Sequence, residues 1–162
     1  MKKKEHLPIF GVGPLIVAFQ IVVTVLGIAL SSLGYFELCK IKVLDIPLKF
    51  AGVVLILFGI LLYLCAAFHS KVYDGITQNK LVTAGVYSIV RNPIYSAFLL
   101  GCTGAVCIAN NLALFIAPVL GWVFMTIVLM CSEEKWLKNL YGDEYVKYCK
   151  KVNRCIPWFP KK

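Results

Sequence analysis

The stretch Val12–Leu33, VGPLIVAFQIVVTVLGIALSSL, contains no charged residue, and its reading decides the fold. A helix of about 20 apolar residues crosses the ~30 Å hydrocarbon core of a bilayer, so this segment is long enough to span it. It exceeds the apolar core of a signal peptide, and no small-x-small cleavage site follows it. Met1–His6, before it, is short and basic.

Working outward, a loop from Gly34 to Ile46 carries Glu37, Lys40, Lys42 and Asp45. Pro47 suits the first turn of a helix, where its missing N–H costs nothing, and Pro47–Phe68 forms a second spanning segment. Its Lys49 is close enough to the end to reach the interface. His69–Arg91 is polar, broken at Asp74-Gly75 and Ala84-Gly85. A third apolar stretch covers Ser96–Ala109, extending to Pro93 if the helix begins there, and a fourth covers Leu112–Cys131. Asn110-Asn111 between them marks a tight turn, so the two are expected to form an antiparallel helical hairpin with one arm short or tilted. In the polar remainder, Ser132–Lys162, the residues Trp136, Leu137, Leu140 and Tyr141 recur at helical spacing. Gly142 breaks that helix, Asp143 can cap the next turn, Tyr145 and Tyr148 share a face, and Trp158 suits an interfacial anchor. The expected fold class is all-α: a polytopic membrane protein with two spanning helices over 1–68, then a cofactor-binding loop, a membrane hairpin and a short amphipathic helical cap over 69–162. The whole makes one domain.

Composition agrees. The 162 residues are 60% hydrophobic and 15% charged, against about a quarter charged in a soluble domain. The net charge of +9 is confined to the ends and one loop. No basic face with interleaved aromatics lies outside the C-terminal tail, so no nucleic-acid partner is expected. Topology explains the basicity better. With the N-terminus, the 69–91 loop and the C-terminus in the cytoplasm, only Lys40, Lys42 and Lys49 of the 17 Lys and Arg residues lie outside. The seven cysteines form no CxxC and the two histidines are too few for an ordinary zinc site. The thiols read as small buried hydrophobes, and no metal is expected.

Two polar clusters flank the hairpin. In the first, Leu81–Tyr87 is followed by Arg91-Asn92-Pro93-Ile94-Tyr95. Asn before Pro is biased away from helical geometry, Asn is a good N-cap and Pro a good N1 residue, so Asn92-Pro93 should open the third helix. A helix start beside Arg91 offers N–H groups and positive charge to a carboxylate. The second cluster, Glu133-Glu134, places two carboxylates at a membrane boundary, where they gain little unless cations or several donors face them. Each cluster alone has a plain structural reading, an interfacial Arg with a helix start, or a solvated helix end. The hairpin, however, should fold Arg91, Asn92 and Tyr95 onto Glu133 and Glu134. Such a pocket can grip a zwitterionic amino acid at both poles. It has no Ser-His-Asp set, no phosphate-cradling glycine loop and no metal spacing.

At these residues the sequence resembles the isoprenylcysteine carboxyl methyltransferase family and its phospholipid methyltransferase relatives. Lys80–Tyr95 matches the pattern x-L-V-T-x-G-x-Y-x-x-x-R-[HN]-P-x-Y; Glu133-Glu134 with Tyr141-Gly142-Asp143-Glu144-Tyr145 and Tyr148 matches E-E…[FY]-G-x-E-Y-x-x-Y; Ile156-Pro157 fits the closing I-P. The likeness covers about residues 69 to 160 and implies S-adenosylmethionine as cofactor, with S-adenosylhomocysteine as product, under a C-terminal cap. It implies cofactor contacts from Asn79, Lys80, Leu81, Val82, Tyr87, Asn92, Pro93, Ile94, Tyr95, Glu133 and Glu134, with Arg91 and Tyr95 orienting the reactants. Two departures stand out. Asn79 and Asn92 replace the family's frequent His, keeping hydrogen bonds but not a titratable proton. Leu129 stands where the eukaryotic carboxyl methyltransferases have a substrate-handling Arg, so the prenylcysteine substrate is not carried over. The expected acceptor is lipid-like or amphipathic and enters from the bilayer, the other partner of this chain; no obligate protein partner is evident. Two other readings compete. Sterol-type membrane reductases, NADPH-dependent, have a related C-terminal pattern but carry Asn after the Pro, where Ile94 stands here. A non-catalytic membrane accessory protein would explain the helices but not two polar clusters meeting.

Overall fold

The computed structural model describes residues 11–69 and 80–160. Among them are six α-helices: α1 (Gly13–Ser32), α2 (Asp45–Leu64), α3 (Pro93–Ala109), α4 (Ile116–Cys131), α5 (Glu133–Tyr141) and α6 (Asp143–Lys151). No strand forms among the described residues, only two isolated bridges, Lys40 with Asn111 and Val90 with Asn153. The segments containing α1, α2 and α4 are long and apolar enough to cross a membrane, and their outward side chains, such as Leu26, Phe50, Leu57 and Val119, are exposed as lipid-facing residues must be. The chain is an integral membrane protein.

Helix boundaries follow local chemistry with small corrections. Helix α2 starts at Asp45, two residues before Pro47, because a proline needs only to fall within the first turn. It ends in a π-helical turn, Cys65–His69. Pro93 is the first residue of α3, as expected, but the Asn92 side chain makes no cap hydrogen bond; it is drawn away to the C-terminal tail, as described below. Asn110 takes the left-handed conformation that ends α3 (φ 47°), and Asn111 caps the following 3-10 turn by accepting from Ala113 N. Gly142, at φ 56°, separates α5 from α6, so Asp143 sits in the first turn of α6 rather than capping it.

The packing differs from a self-contained hairpin. Helix α3 lies chiefly against α2, and less against its chain neighbour α4. The cause is a glycine seam. A Cβ on Gly52 would come within 2.6 Å of the Gly104 carbonyl oxygen, one on Gly104 within 2.5 Å of the Gly52 carbonyl oxygen, and one on Gly59 within 2.8 Å of the Ala97 carbonyl oxygen. Lipid gives no hydrophobic gain for helix association, so close backbone approach at small residues supplies it through dispersion contacts. Helix α3 has 17 residues, yet it runs the length of α2. Its end is tied to the start of α2 by Asn110 Nδ2 to Asp45 Oδ1 (3.0 Å), and its start packs near the end of α2 through Leu62, Val90 and Ala97. Asn111 closes the same end by donating to Ser31 Oγ (2.9 Å) and the Phe36 carbonyl (3.1 Å). The opposite end of the bundle gathers the start of α1, the start of α3, the end of α4 and the cap helices.

Candidate functional site

At that end the two polar clusters meet. Arg91 precedes α3 and is held by backbone: its N–H donates to the Asn153 carbonyl (2.9 Å). Asn92 Nδ2 donates to the Arg154 carbonyl (3.0 Å), and Ser96 Oγ, one turn into α3, donates to the Cys155 carbonyl. The C-terminal tail is thus stitched to the start of α3.

The adjacent acids diverge. Successive residues on a helix point about 100° apart, so Glu133 and Glu134, both in the first turn of α5, serve different partners. Glu134 Oε1 lies 3.1 Å from Arg91 Nη1, and Arg154 reaches the same carboxylate through Nε (2.5 Å) and Nη2 (2.9 Å). Arg91 is only 8% exposed and Glu134 16%. Glu133 instead accepts from the Tyr95 hydroxyl at 3.0 Å and from Val12 N–H at 3.3 Å. The expected meeting with the twin acids is found for Arg91, against Glu134, and for Tyr95, against Glu133; Asn92 is tied to the Arg154 carbonyl instead.

Two guanidiniums on one carboxylate leave a surplus positive charge. Within that group Arg91 Nε is buried with no acceptor among the described residues. Arg91 Nη1 also reaches the Tyr145 hydroxyl (3.4 Å) and the Cys149 sulfur. Burial drives the phenols of Tyr145 and Tyr148 above their ordinary range, which keeps both neutral. Tyr148 donates to the Tyr87 carbonyl at 2.6 Å. Burial also pushes the Cys155 thiol up to about 11. The hydrogen bond to Glu134 raises Arg154, holding it firmly as a cation.

The other expected residues are spread around this centre. Leu81 packs on the Tyr145–Tyr148–Val152 cluster of the cap, not on the acids. Pro93 is buried at the helix start, Val82 and Ile94 are half-buried and Lys80 is exposed. Asn79 lies outside the described residues. Leu129 is fully buried with Ile16, Met125 and Cys155, so the position that carries Arg in the carboxyl methyltransferases is here part of an apolar core. A groove of about 270 Å³ opens beside the tail, lined by Trp122, Thr126, Asn153, Arg154, Cys155, Ile156 and Trp158. It shares Arg154 with the ion-pair group but none of the expected cofactor residues.

Sequence reasoning missed Arg154, Cys149 and the start of α1. Arg154 is one cation in a lysine-rich tail, and nothing in its spacing ties it to Glu134. The one available signal was that paired acids at a membrane face demand cations.

The fold and site define a class: a polytopic membrane protein with a largely buried polar site, two arginines and two glutamates, at one end of its helical bundle. The family is shown by comparison with known proteins, since a model of the family described as phospholipid methyltransferase matches residues 48–144, and the chain belongs to that family. Among relatives, it is 37% identical over 82 residues to protein-S-isoprenylcysteine O-methyltransferase B of Arabidopsis thaliana, covering 50% of this chain and 41% of that protein. It is 32% identical over 119 residues to protein-S-isoprenylcysteine O-methyltransferase of Xenopus laevis, covering 68% and 41%. It is 35% identical over 82 residues to methanethiol S-methyltransferase 1 of Bradyrhizobium diazoefficiens, covering 51% and 28%. The chain thus spans less than half the length of these relatives. No solved structure matches.

Proposed function

We propose that this chain transfers a methyl group from S-adenosylmethionine to a lipid-like or amphipathic acceptor at the cytoplasmic face of a membrane, releasing S-adenosylhomocysteine. The observation that carries this is the meeting of Arg91 with Glu134 and of Tyr95 with Glu133 at one end of a membrane bundle. The residues fit the cofactor's amino-acid end. The unpartnered Arg91 Nε and the surplus positive charge suit its carboxylate, while Glu133, 3.0 Å from the Tyr95 hydroxyl, can accept from an ammonium or a ribose hydroxyl.

When bound, the cofactor supplies an already activated sulfonium methyl, so the protein's task is positioning and exclusion of water. Arg91, locked by the Asn153 carbonyl and Glu134, orients; Tyr95, locked by Glu133, sets the opposite side. Helix α6 covers the site with Tyr145 and Tyr148, both buried. The apolar surround favours an acceptor that arrives from the bilayer. Leu129 in the core speaks against the arginine-assisted prenylcysteine chemistry of the carboxyl methyltransferases. The Asp45, Asn110 and Asn111 end, carrying Lys40, Lys42 and Lys49, then faces away from the cytoplasm.

The test is methyl-tritiated S-adenosylmethionine given to the protein in liposomes with a panel of lipid and water-soluble acceptors. Label is expected in an organic-extractable product. Label only in water-soluble products would overturn the lipid-like acceptor, and consumption of NADPH without methyl transfer would replace the reaction.

A further inference from the structure

Helix α1 lies outside the family match, which begins at residue 48, yet its first turn sits on the site. Val12 N–H donates to Glu133 Oε1 at 3.3 Å. A Cβ on Gly11 would stand 2.7 Å from that same oxygen, and one on Gly13 would stand 2.8 Å from the Tyr95 hydroxyl and 3.0 Å from its Cε1. Just beyond, Ile16 is completely buried among Met125, Leu129 and Cys155, with Val12 and Tyr95 packed on the same cluster. Side-chain packing fixes the approach of α1, and only glycine allows the backbone to come this close.

We propose that Gly13, assisted by Gly11, is a positioning residue of the site: its missing side chain lets the start of α1 close over the Tyr95–Glu133 pair and fix both groups for the cofactor. The proposal rests on the cofactor reading above. It gives the N-terminal helix, which could have been a plain anchor, a role in the reaction. The closure holds Tyr95 in one rotamer, since the ring is bounded by Gly13 on one side and its hydroxyl by Glu133 on the other. It also gives the Glu133 carboxylate two donors, Tyr95 Oη and Val12 N, at fixed places. A methyl group at position 13 must displace the ring or the helix, and displacements of about 1 Å in a positioned site cost up to roughly hundredfold in function.

The experiment measures S-adenosylhomocysteine affinity and thermal midpoint of the full chain in detergent for wild type, Gly13→Ala, Tyr95→Phe, the double variant and Gly27→Ala. Gly27 is on the same helix, and a Cβ there meets only the end of Leu114 at 3.2 Å. Alanine is the better helix former, so Gly13→Ala is expected to keep its thermal midpoint while weakening binding by roughly ten- to hundredfold. In the Tyr95→Phe background the contact at 2.8 Å is gone and only the ring carbon at 3.0 Å remains, so the same change should cost a clearly smaller fold-loss than in wild type, and Gly27→Ala should bind as wild type does. Unchanged affinity in Gly13→Ala, or an equal loss with and without the Tyr95 hydroxyl, overturns the proposal. If Gly13→Ala fails to fold, restored folding and binding competence in the double variant supports the contact, and failure of both overturns it. A wild-type protein that binds no S-adenosylhomocysteine would instead sink the cofactor reading itself.

Discussion

Replacing Glu134 with Gln removes the one carboxylate shared by Arg91 and Arg154 and leaves two guanidiniums facing a neutral amide. The Arg91 pair, at 3.1 Å with both side chains largely buried, has a gross attraction of about 5 kcal/mol at an effective dielectric of 20. Much of that only offsets the cost of burying both charges. Arg154 keeps 27% of its side chain exposed, so its share is screened to about 1 kcal/mol or less. Losing the acid while the buried cation stays is costly, about 3 kcal/mol at the low end for such pairs. For a chain of this size each kcal/mol moves the thermal midpoint by roughly 2–4 °C, so Glu134→Gln should lower it by roughly 6–12 °C. The assay is a melting curve of detergent-purified protein followed by tryptophan fluorescence. A companion Arg154→Gln variant should lose far less, because it leaves the Arg91–Glu134 pair intact. A Glu134→Gln midpoint within about 1 °C of wild type, or an Arg154→Gln loss as large as that of Glu134→Gln, would refute the charge balance drawn for this site.

Gly52→Val should destabilise by about 3 kcal/mol, the upper part of the overpacking range, since its side chain would strike the Gly104 backbone rather than a movable side chain; denaturant titration in detergent measures it, and near-neutral stability would mean the α2–α3 seam is looser than described. Cys155 is 4% exposed with its thiol pushed up to about 11, so it should resist maleimide at pH 8 until the chain is unfolded, as mass mapping of the adduct would reveal. With its folded value raised above the ordinary 9.0, the neutral thiol's stabilisation is fully present below pH 9 and is lost as pH rises toward 11; stability that increases over that window would contradict the assigned burial. Affinity tags at the two chain ends should both be digested by protease in inside-out vesicles, where the cytoplasmic face is outermost, and protection of either tag would reverse the topology.

How much of the fold and site is legible in the sequence depends on whether the signal is local. The spans of α1, α2 and α4 follow from uncharged runs, which have no stable place except lipid or a large core. Asn92-Pro93 marks the start of α3 because proline's restrictions act within one residue. The meeting of Tyr95 with Glu133 could be foreseen because the Asn110-Asn111 turn brings the start of α3 and the end of α4 to one side. The separate duties of Glu133 and Glu134, which the sequence alone groups together, emerge only with their partners in place. What stayed hidden depends on tertiary registry. Arg154 looks like Lys150 and Lys151 until the tail is threaded past Asn92 and Ser96. Glycines 52 and 104 become a seam only when two helices are placed side by side. Gly13 reads as a weak helix residue until Tyr95 is found against it.

The most direct measurement is a calorimetric titration of the detergent-purified chain with S-adenosylhomocysteine, repeated for Tyr95→Phe and Glu133→Gln. The predicted result is saturable one-to-one binding to wild type, weakened at least about tenfold in each variant. Absence of binding to folded wild type, or affinity unaltered by both substitutions, would contradict the account.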